Sequence, residues 1–94
     1  MGFFKKKVEP EPVSKAQLKT KLTMNMRKLE KRESMLKAKE EKSRTEAKKA
    51  LTAGDERAFK SASRRYSMIH GQVTAVSGMV DMAEAMVEMV EMQE

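Results

Sequence analysis

The chain has no cysteine, no tryptophan and a single histidine, and its two prolines, Pro10 and Pro12, both sit near the start. Without cysteine there is no disulfide, no thiolate nucleophile and no cysteine-based zinc site. One histidine, His70, cannot pair with a second to form a metal site or a catalytic dyad. Aromatic residues make up only 4% of the chain, which argues against a packed α/β domain. No run of about 18 apolar residues occurs, so nothing reads as a bilayer-crossing helix. Met1-Gly2-Phe3-Phe4-Lys5-Lys6-Lys7 lacks the apolar core and cleavage site of a signal peptide, and Lys6 breaks the myristoylation pattern. There is no glycine-rich phosphate loop, and no constellation orders the Ser, Asp and Glu residues for acid–base or nucleophilic work. The expectation is a protein that is not an enzyme and carries no cofactor and no metal.

What is present is charge and helix formers. Of 94 residues, 36% are charged, and Ala, Lys, Glu, Met and Arg dominate. A chain this short is at most one small domain and buries little core without help from association. The net charge of +6 is split unevenly: residues 1–53 hold 16 Lys and Arg against 7 acids, and residues 54–94 hold 4 against 7. From Tyr66 onward there is no Lys or Arg. A basic arm joined to an acidic one suggests polyanions as partner of the first and basic helices as partner of the second.

Residues 1–13 read as a tail, extended around Glu9-Pro10-Glu11-Pro12 because proline fixes φ and disfavours helix at the residue before it. Ser14 suits an N-cap, and the first helix is expected over about 15–53. Its seam is Leu18, Leu22, Met26, Leu29, Leu36, Ala47 and Ala50, interrupted by Glu33 and Glu40. The turn at 53–55 follows, with Gly54 ending one helix and Asp55 capping the next, and it is short enough to force the arms antiparallel. The second helix is expected over about 56–92, with Phe59, Ala62, Tyr66, Ile69, Val73, Val76, Val80, Ala83, Val87 and Val90 on one stripe. The fold class is therefore all-α: a long antiparallel, coiled-coil-like two-helix hairpin over 14–94, with an N-terminal tail over 1–13.

Two features exceed a plain seam. Met79, Met82, Met86 and Met89 form a second stripe beside the valines, wider than one partner helix covers. Ser67, Gly71, Gly78 and Ala85 share the opposite face; each mid-helix glycine costs about 1 kcal/mol relative to alanine, and such a row would admit another backbone. The alternative is that these are tolerated surface positions. Methionine at helical spacing is apolar packing far more often than a soft-metal site. His70 reads as a hydrogen-bonded interfacial residue.

Phe3 and Phe4 followed by Lys5, Lys6 and Lys7 read as a membrane-surface anchor, the rings entering the headgroup boundary and the ammonium groups meeting anionic lipid. The basic face of the first helix, with Lys15, Lys19, Lys21, Arg27, Lys28, Lys31, Arg32 and Lys39, extends that surface; taken alone it is a solvated face. Nucleic acid is the competing polyanion, but base-stacking aromatics are absent from this arm.

Three segments together resemble the N-terminal half of ESCRT-III proteins, the charged multivesicular body protein family and its archaeal relatives. They are Met26-Arg27-Lys28-Leu29-Glu30-Lys31-Arg32, Lys48 to Ala58 around the turn, and Ser77-Gly78-Met79-Val80-Asp81-Met82-Ala83-Glu84-Ala85-Met86. The resemblance implies a membrane-remodelling polymer in which hairpins stack side by side on acidic membranes. It implies partners that are further copies of the chain and related ESCRT-III subunits. Phe3, Phe4 and the cations of the first helix would then face lipid. Phe59, Tyr66, Ile69, Val73, Val76, Met79, Val80, Met82, Met86, Val87 and Met89 would serve self-assembly. Family members usually continue into further helices and an ATPase-recruiting motif, so an AAA ATPase is an expected partner only through a region beyond Glu94. Spontaneous polymerisation and a cytoplasmic, membrane-peripheral setting are expected. The alternative function is a coiled-coil adaptor or a non-specific nucleic-acid-binding hairpin.

Overall fold

The computed structural model describes residues 14–93, and these form two helices: α1, Lys15–Ala53, and α2, Glu56–Met92. The tail over 1–13, with Phe3, Phe4, Lys5, Lys6 and Lys7, lies outside the described residues. Among the described residues there is no strand, and neither helix is long and apolar enough to cross a membrane.

Local chemistry sets each boundary. Ser14 accepts a hydrogen bond from the Gln17 amide on its Oγ at 3.1 Å, and the Gln17 side chain accepts from the Ser14 amide at 3.3 Å. This reciprocal capping box satisfies two amides around the start of α1. At the other end Gly54 takes φ 73°, the left-handed conformation that lets the chain turn back without a Cβ clash. The Gly54 amide then donates to the Leu51 carbonyl at 3.1 Å and the Asp55 amide to the Ala50 carbonyl at 2.9 Å, the paired bonds of a Schellman ending. Asp55 starts α2 at once, its Oδ1 accepting from the Ala58 amide at 3.0 Å. One glycine and one aspartate reverse the chain, and the arms run antiparallel.

Between the arms lies a single seam. On α2 the stripe from Phe59 to Val90 is buried or half-buried at every position, stepping alternately by three and four residues. On α1 the matching positions are Leu22, Met26, Leu29, Glu33, Leu36, Glu40, Ser43, Ala47 and Ala50, with the same steps. That period of 3.5 is the knobs-into-holes seam of a coiled coil. Near the turn α1 contributes small side chains, Ser43, Ala47 and Ala50, while α2 contributes Phe59 and Tyr66. Farther out the sizes are reversed around Ala83, with Leu22, Met26 and Leu29 on α1. Leu36, Val73 and Val76 form the central cluster, with Ile69 and Val80 packed on it. No described side chain is fully sealed from water; the lowest exposure is 2%, at Ala62.

The two glutamates that break the apolar stripe of α1 occupy seam positions, and each finds a partner on α2. Ser77 Oγ donates to Glu33 Oε2 at 2.5 Å, and His70 Nδ1 meets Glu40 Oε2 at 2.5 Å. Arg65 bonds Glu46 at 3.0 Å and Lys19 bonds Glu91 at 2.7 Å. All four contacts pair residues about equally distant from the turn, so together they specify one register. Their worth lies in that specificity, because half-exposed ion pairs add little stability.

Candidate interaction surfaces

An antiparallel pair of helices is a ribbon with one seam, two outer edges and two broad sides. The twofold axis relating the helices runs normal to the ribbon, so it returns each broad side to itself. The residue before each seam residue therefore lies on one broad side in both helices, and the residue after it lies on the other. Contacts agree with this assignment. Glu46 and Arg65, which bond each other, both precede seam residues. Lys28, Arg32, Met35 and Lys39 of α1 line a shallow groove with Gln72 of α2, and all of these precede seam residues as well.

The two sides differ in chemistry. On the first, α1 presents Lys21, Lys28, Arg32, Lys39, Lys42 and Lys49, all exposed. Its one acid there is Glu46, held by Arg65. Beside this row α2 presents Met68, Ala75, Met79, Met82, Met86 and Met89. The methionines are 51–69% exposed, so the stripe beside the valines is left uncovered by α1. On the second side α1 mixes Arg27, Glu30, Lys37, Glu41, Arg44 and Lys48, while α2 carries Lys60, His70, Thr74, Ser77, Asp81, Glu84, Glu88 and Glu91. The outer edge of α2 is charge-free over Gly71, Gly78, Ala85 and Met92. A Cβ built at Gly71 or Gly78 meets nothing within 4 Å among the described residues, so that edge is open at both positions.

Compared with protein-family models, with curated proteins and with solved structures, the chain matches none. Geometry alone therefore bears on the site residues expected from sequence. Lys21 and Lys28 fall in the cationic row, and Arg27 lies on the opposite side. Lys15 and Lys19 are engaged with the end of α2, Lys15 Nζ donating to the Gln93 carbonyl and Lys19 bonding Glu91. Phe59, Tyr66, Ile69, Val73, Val76, Val80 and Val87 face α1 within the hairpin, whereas Met79, Met82, Met86 and Met89 remain open. Gly54 and Asp55 make the turn. Lys42 and Lys49 complete the cationic row and were missed by a reading of α1 alone; counting back one residue from each seam position would have found them.

His70 stacks on Tyr66 with ring centroids 5.8 Å apart while it holds Glu40. It is an interfacial histidine with both neighbours in place. Among the described residues no group of three or more His, Asp or Glu side chains is placed to hold a metal ion.

Proposed function

We propose that this chain is a structural subunit of a membrane-binding, membrane-remodelling filament of the ESCRT-III type. One observation carries the reading: a hairpin with a single thin seam leaves the methionine row and the charge-free edge of α2 exposed along half the length of that helix. Apolar surface extended along a rod is an association surface. Copies lying side by side, edge against edge, would bring a neighbouring helix against Gly71, Gly78 and Ala85 and leave both broad sides of each ribbon free. The basic first arm then meets acidic lipid, aided by the anchor that Phe3, Phe4 and Lys5–Lys7 supply. Related subunits would join the same polymer, and an AAA ATPase would be a partner only if a C-terminal region exists beyond this chain. Its setting on this reading is the cytoplasmic face of a membrane, during budding, scission or division.

The test is co-sedimentation of the purified chain with vesicles of neutral and of anionic lipid, with electron microscopy of the pellets. Binding that requires anionic lipid, weakens when residues 1–7 are removed and yields filaments or coated tubes supports the proposal. A monodisperse particle indifferent to vesicles, or one that binds RNA with steep salt dependence instead, overturns it in favour of an adaptor or a nucleic-acid-binding hairpin.

A further inference from the structure

The ribbon has two broad sides, and a membrane can meet only one of them at a time. We infer that the side joining the α1 cations to the α2 methionines is the lipid-docking face: the cations contact anionic headgroups while the methionines enter the headgroup boundary beside them. This rests on the membrane reading above and adds an orientation to it. It also takes Met79, Met82, Met86 and Met89 out of the contact between copies and assigns them to lipid.

The separation of charge is the first support. Among the described residues the only acid on this side, Glu46, is paired with Arg65, while Lys21, Lys28, Arg32, Lys39, Lys42 and Lys49 are all exposed. Such a surface is attractive to anionic lipid along its whole length. Apolar placement is the second support. Leu18, Met35, Met68, Met79, Met82, Met86 and Met89 are exposed large hydrophobic side chains, and each precedes or adjoins the seam on this same side. Cations and apolar groups sharing one surface match the two layers of a lipid headgroup region.

A second copy fits this face less well. Two such faces apposed would set lysine against lysine, or lysine against methionine, according to which arm lies over which. Apposing this face to the opposite side of a neighbour would press methionines onto Arg27, Glu30, Lys37 and Glu41, or onto Asp81, Glu84 and Glu88, with Leu51 the one exposed large apolar side chain there among the described residues. A nucleic-acid backbone would use the cations and leave the methionine row without a partner. Anionic lipid uses both rows. With this face down, Asp81, Glu84, Glu88 and Glu91 point away from the membrane, where their repulsion by anionic lipid is smallest.

The experiment compares matched substitutions on the two sides of the full chain. Lys28→Glu with Arg32→Glu, and Arg27→Glu with Lys37→Glu, make the same change in net charge at exposed positions of the same helix. Vesicles of phosphatidylserine and phosphatidylcholine are the probe, with helix content checked by circular dichroism. The first pair is expected to lower vesicle partitioning by at least about tenfold, and the second by less than about threefold. Because the chain has no cysteine, Met82→Cys and Glu84→Cys each accept one environment-sensitive dye. The dye at 82 is expected to shift to shorter wavelength on vesicles and to be quenched by spin-labelled lipid, while the dye at 84 is not. Equal losses from the two charge pairs, or quenching at 84, would overturn the orientation while leaving the membrane reading standing. A shift at 82 without vesicles, and no access to lipid-borne quencher, would show that a second copy covers the methionines and would overturn the inference likewise. Failure of the unaltered chain to bind the vesicles would remove the membrane reading itself.

Discussion

Leu36 and Met35 are adjacent in sequence and opposite in fate, which makes them the sharpest test of the seam. Leu36 is 8% exposed and packs in the central cluster with Val73 and Val76, whereas Met35 is 57% exposed. Leu36→Ala removes three carbons, worth about 0.8 kcal/mol each in burial, or about 2.4 kcal/mol. The space left behind adds a cavity penalty, moderated because helices in an open ribbon can settle towards each other, so the expected total is about 3 kcal/mol. A two-helix chain with so few buried side chains has only a few kcal/mol to lose. Leu36→Ala should therefore populate the unfolded state heavily in dilute solution. Met35→Ala replaces an exposed side chain by a better helix former and should fall within about 0.5 kcal/mol of the parent. Urea titration followed by far-ultraviolet circular dichroism, at one fixed protein concentration, measures both. If the two variants differ by less than about 1 kcal/mol, the register assigned to α1 is wrong.

Two further substitutions probe the turn and the edge. Gly54→Ala meets no steric obstacle, but it forces an L-residue into φ 73° and should cost about 1 kcal/mol in the same titration, through backbone strain alone. Gly78→Ala sits exposed in mid-helix and should stabilise the hairpin by roughly 0.5–1 kcal/mol while thickening the edge where copies are proposed to meet. Sedimentation should then show weaker assembly in a more stable protein; unchanged assembly would place the contact elsewhere.

Much of the fold was legible because its signals are local. Ser14, Gly54 and Asp55 bracket the helices by backbone hydrogen bonding within a few residues, and the bounds follow. The α2 stripe from Phe59 to Val90 was readable because every member is apolar, aromatic or alanine. The α1 seam was read only in part. Glu33 and Glu40 look like interruptions until Ser77 and His70 are beside them, 44 and 30 residues away in the chain. Ser43 gave no apolar signal at all, yet it is 4% exposed, a small residue in the stretch where α2 carries its aromatic side chains. Polar seam positions are invisible to a hydrophobic pattern because their satisfaction depends on the other arm. Treating the basic residues of α1 as one surface had the same weakness: Arg27 and Lys28 are neighbours in sequence, but they lie on opposite broad sides.

By itself, then, the order of residues determined two rods, a reversal at Gly54 and Asp55, and one stripe that must be covered, since helix caps and 3.5-residue periodicity act over short distances. The pairing of the rods decided which charges oppose, which are satisfied, and which lie together on an open face. An antiparallel twofold arrangement returns each broad side to itself. It therefore set the acid-poor cation row of α1 beside the methionines of α2 and not beside its acids, a juxtaposition that neither helix carries alone.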